Sequence, residues 1–256
     1  MSLQRSEKLK SLLDQWEPHS VATSTHLATL GITPQDIQNY TSSRWLMSLG
    51  RGAFKRPMET VTWQGALHSL QTQLSLPVHV GALTALEMSG NSHYVRFAAT
   101  RAYLFSPLHV ALPRWFKTHW GDDVRYVQTK LLPPELGLTE QQAPEGFTLK
   151  TSTAERAALE ILHLAPKEFD LVEAGMIIET MTSIRPKLMQ NLLEQCTSLK
   201  VRRLFLYLAE RANLPVVGHL NLERIDLGTG DRSLVPNGRY VAKYQLVLPK
   251  ELVDRG

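Results

Sequence analysis

Residues 31–57, GITPQDIQNYTSSRWLMSLGRGAFKRP, constrain the fold more than any other stretch of the chain. Thr33-Pro34-Gln35-Asp36 has the form of a helix start. A hydroxyl caps the first free N–H groups, proline sits where no N–H is needed, and a carboxylate stands at the third helical position. Ile37 and Tyr40 give that helix an inward stripe. Gln35, Gln38, Asn39 and Ser42 share another face, which is polar and uncharged. After Arg44 the period changes: WLMSL and AFK are β-like runs joined across Gly50-Arg51-Gly52, where glycine admits positive φ. A capped helix followed at once by a glycine-tipped basic hairpin has the outline of a recognition helix and its wing.

The residues upstream fit that outline. Leu9, Leu12, Leu13 and Trp16 at i, i+3, i+4, i+7 predict an amphipathic helix over 7–16, with Pro18 just beyond it. Thr23 or Ser24 caps a short second helix through Leu30, and Gly31 supplies the turn before Thr33. Trp63, Leu67, Leu70 and Leu74 predict a fourth helix that closes the small core. The expectation is a winged helix-turn-helix domain over residues 1–76.

Such a module binds a polyanion only if cations stand where the duplex lies, and the overall charge of +4 is too small to decide that. The local distribution says more. Arg44, Arg51, Lys55 and Arg56 occur between Tyr40 and Arg56 with no acid, and Arg96, Arg101, Arg114 and Lys117 between Met88 and Trp120, again with none. Acids are plentiful from Glu135 to Glu179, so the first half is the expected face for an anionic partner. Gln35, Gln38, Asn39 and Ser42 suit base contacts in a major groove. Thr33, Ser43, Arg44, Arg51, Lys55 and Arg56 suit phosphate contacts, and Arg51 at the wing tip also suits a minor groove.

With 43% apolar and 20% charged residues, the 256-residue chain is globular and long enough for a second domain over 77–256. A mixed, β-rich part is expected over 77–150: a strand at PVHV, a helix at GALTALEMSG, strands at HYVRFAA and AYLF, then a connector or irregular strand pair through LLPPELGLTEQQAPEGFTL. Residues 151–256 are expected to be helical. Ser152-Thr153-Ala154-Glu155 looks like a second capping box, and further helices are predicted at 171–183, 186–196 and 200–212. A terminal β-hairpin turns at Pro236-Asn237-Gly238. The fold class is therefore α+β, a winged helix-turn-helix before a larger mixed domain.

Several features admit two readings. ALPRWFKTHWGDD mixes Arg114, Lys117 and His119 with Trp115, Phe116 and Trp120, which suits either a buried aromatic cluster with basic rims or base stacking. Asp122-Asp123 suits a turn better than a metal-binding pair. GTGDRS is a β-turn, or an anion nest with Arg232. Lys200, Arg203, Tyr207 and Arg211 share a helix face that is solvated, or meets DNA or a partner protein. No serine-elbow, HExxH, paired-cysteine or phosphate-loop motif is present, so no catalysis, metal or cofactor is expected. One cysteine, Cys196, leaves no intramolecular disulfide and suits a reducing, cytoplasmic compartment. The start lacks an apolar signal core and no run approaches 18 apolar residues, so neither export nor membrane spanning is expected.

The runs LATLGITPQDIQNYTSSRWLMSLGRGAFKRP, TWQGALHSLQTQLSLPVHVGALTALEMSG and SIRPKLMQNLLEQC, with the later RRLFLYLAE and GRYVAKYQ, resemble the AbiEi family, the antitoxins of AbiE type IV toxin–antitoxin systems. The resemblance covers nearly the whole chain. It implies an N-terminal winged helix that binds inverted repeats of operator DNA, presumes two copies there, and represses its own operon. It implies a C-terminal domain that counteracts a nucleotidyltransferase toxin without a stable complex and assists cooperative repression. By position the recognition helix maps onto Gln35–Ser43 and the wing onto Trp45–Lys55. Relatives often carry Arg or Lys in that helix and Gly at its end, whereas here the helix is uncharged and Arg44 lies near the expected glycine. The alternative is an antitoxin acting mainly by direct protein binding through its C-terminal domain.

Overall fold

The computed structural model describes residues 3–90 and 101–254, with side chains from Glu7 onward. The strand expected at HYVRFAA lies outside the described residues.

The N-terminal unit runs α1 (Leu3–Gln15), β1 (Ala22–Thr23), α2 (Ser24–Thr29), α3 (Pro34–Ser42), β2 (Met47–Gly50) and β3 (Ala53–Lys55). Thr23 caps α2 by accepting from the N–H of His26, and Gly31 turns the chain at φ 75°. Thr33 and Asp36 form the full reciprocal capping box at the start of α3. The three strands pair antiparallel in the order β1-β3-β2, with Ser48 opposite Phe54 and Gly50 opposite Ala53. Leu9, Leu12, Trp16, Leu27, Ile32, Tyr40, Leu46 and Phe54 form the core beneath them. This element order is a winged helix-turn-helix.

Next come α4 (Trp63–Thr72), β4 (His79–Val80), α5 (Ala82–Met88), β5 (Ala102–Ser106), α6 (Arg114–Trp120), β6 (Val124–Gln128), β7 (Leu138–Gln142) and β8 (Thr148–Ser152). The strands form a mixed five-stranded sheet, β6-β5-β4-β8-β7. Alternation along β5 decides its two faces. Leu104 joins Leu67, Leu70, Trp115, Phe116 and Trp120 on one side, and Phe105 joins Leu83, Leu86 and the helices that follow on the other. Helix α4 faces both ways: its buried Leu67 and Leu70 pack with the sheet in a cluster that also takes in Val21 and Ala53 of the N-terminal unit, and Ser69 Oγ donates to the Val21 carbonyl at 2.7 Å. An apolar helix face does not name its partner, and the larger sheet offers more surface. That cluster draws on both sides of residue 76. The connector around residues 131–149 resolves into the antiparallel pair β7–β8, turned by an Ala143 N–H to Phe147 carbonyl bond of 2.8 Å.

The last part holds α7 (Ala154–Leu164), α8 (Leu171–Glu179), α9 (Pro186–Gln195), α10 (Leu199–Arg211), a small sheet of β9 (Arg232–Ser233), β10 (Arg239–Val241) and β11 (Leu246–Leu248), and α11 (Lys250–Asp254). Two local expectations are corrected. The second capping box does not form: Thr153 is the N-cap without a side-chain bond, Ser152 ends β8, and Glu155 pairs with Arg185 at 2.9 Å instead. The terminal hairpin is β10–β11 and turns through Ala242–Gln245, with Gln245 left-handed at φ 51°. Pro236-Asn237-Gly238 merely leads from β9 to β10, which flank β11 without pairing to each other.

A buried ionic cluster, invisible to motif reading, ties the sheet to α7. Glu160 Oε1 accepts from Arg156 Nε at 2.9 Å and His79 Nε2 at 3.0 Å, while Oε2 accepts from Ser152 Oγ at 2.8 Å and the Ala82 N–H at 2.9 Å. Among the described residues no helix is long and apolar enough to cross a membrane.

Candidate nucleic-acid interface

The capped start of α3 fixes which side chains face outward. Asp36 Oδ2 accepts from the Thr33 N–H at 3.0 Å and from Lys8 Nζ at 2.7 Å, so α1 also grips the helix start. The Lys8 ammonium, then the Thr33 hydrogen bonds, hold the Asp36 carboxyl down at about 2. With Tyr40 buried and Ile37 half-buried, Gln35, Gln38 and Ser42 are exposed. The Gln38 and Ser42 side chains have no partner among the described residues. Asn39 is half-buried, its Oδ1 3.5 Å from Gln35 Nε2 and its own Nδ2 unpartnered. The Thr33 hydroxyl donates to Asp36 at 2.8 Å and the Ser43 hydroxyl to the Asn39 carbonyl at 2.6 Å, so both act as caps of α3.

Arg44 follows the helix in the left-handed region, φ 60°, near the position at which a glycine was expected. Arg51 stands at the wing tip between Gly50 (φ 130°) and Gly52 (φ 77°). Both guanidinium groups are exposed and neither has an ion pair or hydrogen bond among the described residues. The other two wing cations differ. Lys55 Nζ donates to the Glu59 carbonyl at 2.8 Å. Arg56 is a correction: it donates to the carbonyls of Leu13 and Trp16, lies 3.5 Å from Glu59 and covers the Trp16 ring. A half-buried cation so engaged holds α1 to the end of the wing.

The wing does not stand alone. Helix α6 packs on β2, with His119 Nε2 donating to the Leu49 carbonyl at 2.8 Å and a Cβ at Gly50 set to meet Trp115 Cβ at 3.3 Å. Trp115, Phe116 and Trp120 are buried, which settles the aromatic run as core, while Arg114 and Lys117 remain exposed. Asp122-Asp123 lies in the turn after α6, and no group of three potential metal ligands occurs among the described residues.

The face of α10 is the second correction. Arg203 is 1% exposed and donates to the carbonyls of Leu227 and Gly230, both at 2.7 Å. Lys200 donates to the carbonyls of His163 and Ala165, and burial, with the nearby Lys167 charge, pushes it down to about 8. Tyr207 donates to the Leu252 carbonyl at 3.3 Å, and Arg211 pairs with Glu179 at 2.9 Å. Loop 226–230 covers Arg203 and α11 meets Tyr207, while the end of α7 and Glu179 of α8 engage Lys200 and Arg211, so each of the four side chains has a partner within the chain. Arg232 is exposed on β9.

A solved structure with a similar fold is that of RV2827C protein from Mycobacterium tuberculosis, with a TM-score of 0.63 over 98% of this chain and 94% of that one at 14% identity. No curated protein matches the sequence. A family model described as the N-terminal domain of the AbiEi antitoxin transcriptional regulator matches residues 5–97. One described as "Transcriptional regulator, AbiEi antitoxin, Type IV TA system" matches residues 99–249. With both matches in order along nearly its whole length, the chain belongs to the AbiEi antitoxin family of transcriptional regulators in type IV toxin–antitoxin systems.

Proposed function

We propose that the protein binds double-stranded operator DNA at inverted repeats, one copy per half-site, represses its own operon, and counteracts a nucleotidyltransferase toxin without a stable complex. The observation that carries the reading is an exposed polar ridge on α3, Gln35, Gln38 and Ser42, followed along the chain by two exposed arginines, Arg44 and Arg51, that have no partner among the described residues. A helix of 9 residues is about 14 Å long and enters a major groove about 12 Å wide. Gln38, with Gln35 and Asn39, reads adenine by paired hydrogen bonds, and Arg44 and Arg51 bind phosphate. Arg232 is a further cation for DNA or a partner outside the N-terminal unit.

The test is binding of duplex from the region upstream of the operon, measured across salt. Two phosphate contacts per copy give a log–log slope of roughly −1.8 at about 0.9 each. Gln38→Ala relaxes sequence preference at constant slope; Arg51→Ala weakens binding to every sequence and flattens the slope. Equal binding by both variants and the parent protein overturns the reading.

A further inference from the structure

A cleft of about 770 Å³ opens between the start of α2, the wing turn and α6. Arg51 from the wing and Arg114 from α6 line it, with the hydroxyl residues Ser24, Thr25 and Thr118, and with Trp115 in its wall. No Asp or Glu lines it, and neither arginine has a carboxylate partner among the described residues. Two cations facing one acid-free space repel each other until an anion lies between them, and guanidinium groups match phosphate oxygens with paired N–H donors. The walls are fixed: the Ser24 N–H donates to the Gly52 carbonyl at 2.9 Å, and His119 holds Leu49 at 2.8 Å.

We propose that this cleft is a phosphate-binding site shared between the wing and α6, with Arg51 and Arg114 as its cationic walls and Thr118 as a hydroxyl donor. The phosphate has two sources, the backbone of a duplex running past the wing tip or a free phosphorylated small molecule. The first source rests on the DNA-binding reading above; the second is independent of it.

Arg114→Ala and Thr118→Val, both at exposed positions, are compared with the parent protein in two arms. In the first, duplex affinity is measured across salt. If the backbone fills the cleft, Arg114→Ala binds roughly tenfold more weakly to related and unrelated sequences alike, and its log–log slope is shallower than the parent's. In the second, thermal melting is followed in sodium phosphate or ATP at constant ionic strength. If a free phosphate group fills the cleft, the parent protein's Tm rises with ligand concentration and the rise is lost in Arg114→Ala. Either result supports the site and names its ligand. Unchanged duplex affinity and slope, together with a parent Tm that ignores both probes or an equal rise in the variants, overturn it. Failure of the parent protein to bind any duplex sinks the proposed function, while the melting arm still judges the cleft.

Discussion

The guanidinium of Arg56 lies over the indole of Trp16, 5.6 Å from the ring centroid, and donates to the carbonyls of Leu13 and Trp16 at the end of α1. These carbonyls have no further helical turn to accept from, so the arginine satisfies them and closes the N-terminal unit. Arg56→Ala is expected to lower stability by about 2 kcal/mol, through lost charged hydrogen bonds and lost packing on Trp16. Urea unfolding measures the loss. The salt slope of duplex binding by the folded variant stays at the parental value, which separates Arg56 from Arg51.

Arg44 sits at the end of α3 with φ 60°, a conformation that costs a side chain roughly 1 kcal/mol and costs glycine little. Arg44→Gly therefore keeps stability level or raises it by up to about 1 kcal/mol while removing a free cation. Its duplex binding weakens and its salt slope flattens. A variant that is more stable yet binds worse identifies a residue retained for its charge.

Asp36 titrates below its ordinary 3.8, at about 2, because Lys8 and Thr33 stabilise the carboxylate. A carboxyl with a depressed folded pKa contributes stability that is complete above the unfolded value and is lost as pH falls through the folded one. Asp36→Asn is expected to cost about 1 kcal/mol at neutral pH through loss of the reciprocal cap. The gap between parent and variant closes between about pH 4 and pH 2, read by denaturant midpoints across that window.

Glu160 is the buried counter-charge to Arg156 and the acceptor for His79. Burial pushes its carboxyl up, but the His79 hydrogen bond, the His79 and Arg156 charges and the Ala82 N–H outweigh that and leave it below the ordinary value. Glu160→Gln strands Arg156 without a carboxylate in the core and is expected to cost about 3–5 kcal/mol, measured by thermal or urea unfolding. Glu160→Asp, which keeps the charge but shortens the reach, loses less.

Most of the N-terminal unit was legible because its signals are local. The Thr33 cap, the Asp36 box, the Gly31 turn and the glycines flanking Arg51 act within one or two turns of chain, and the structure has each where the sequence places it. Helices α8, α9 and α10 were legible for the same reason, since a 3.6-residue period belongs to the helix itself. The tail was not: an Asn-Gly pair suits a hairpin, yet pairing across β11 moved the turn to Ala242–Gln245.

What sequence alone determined is therefore which segments become helix or wing and which faces are apolar. Tertiary structure decided which cations are free. Arg56 and Arg51 are five positions apart in one basic run, but Arg56 meets carbonyls of residues 40 and 43 positions earlier, whereas Arg51 meets no partner among the described residues. Arg203 was read as part of a charged face, and a loop 24 to 27 residues downstream seals it. A cation's partner is set by chain that arrives from far away, and no local period carries that information.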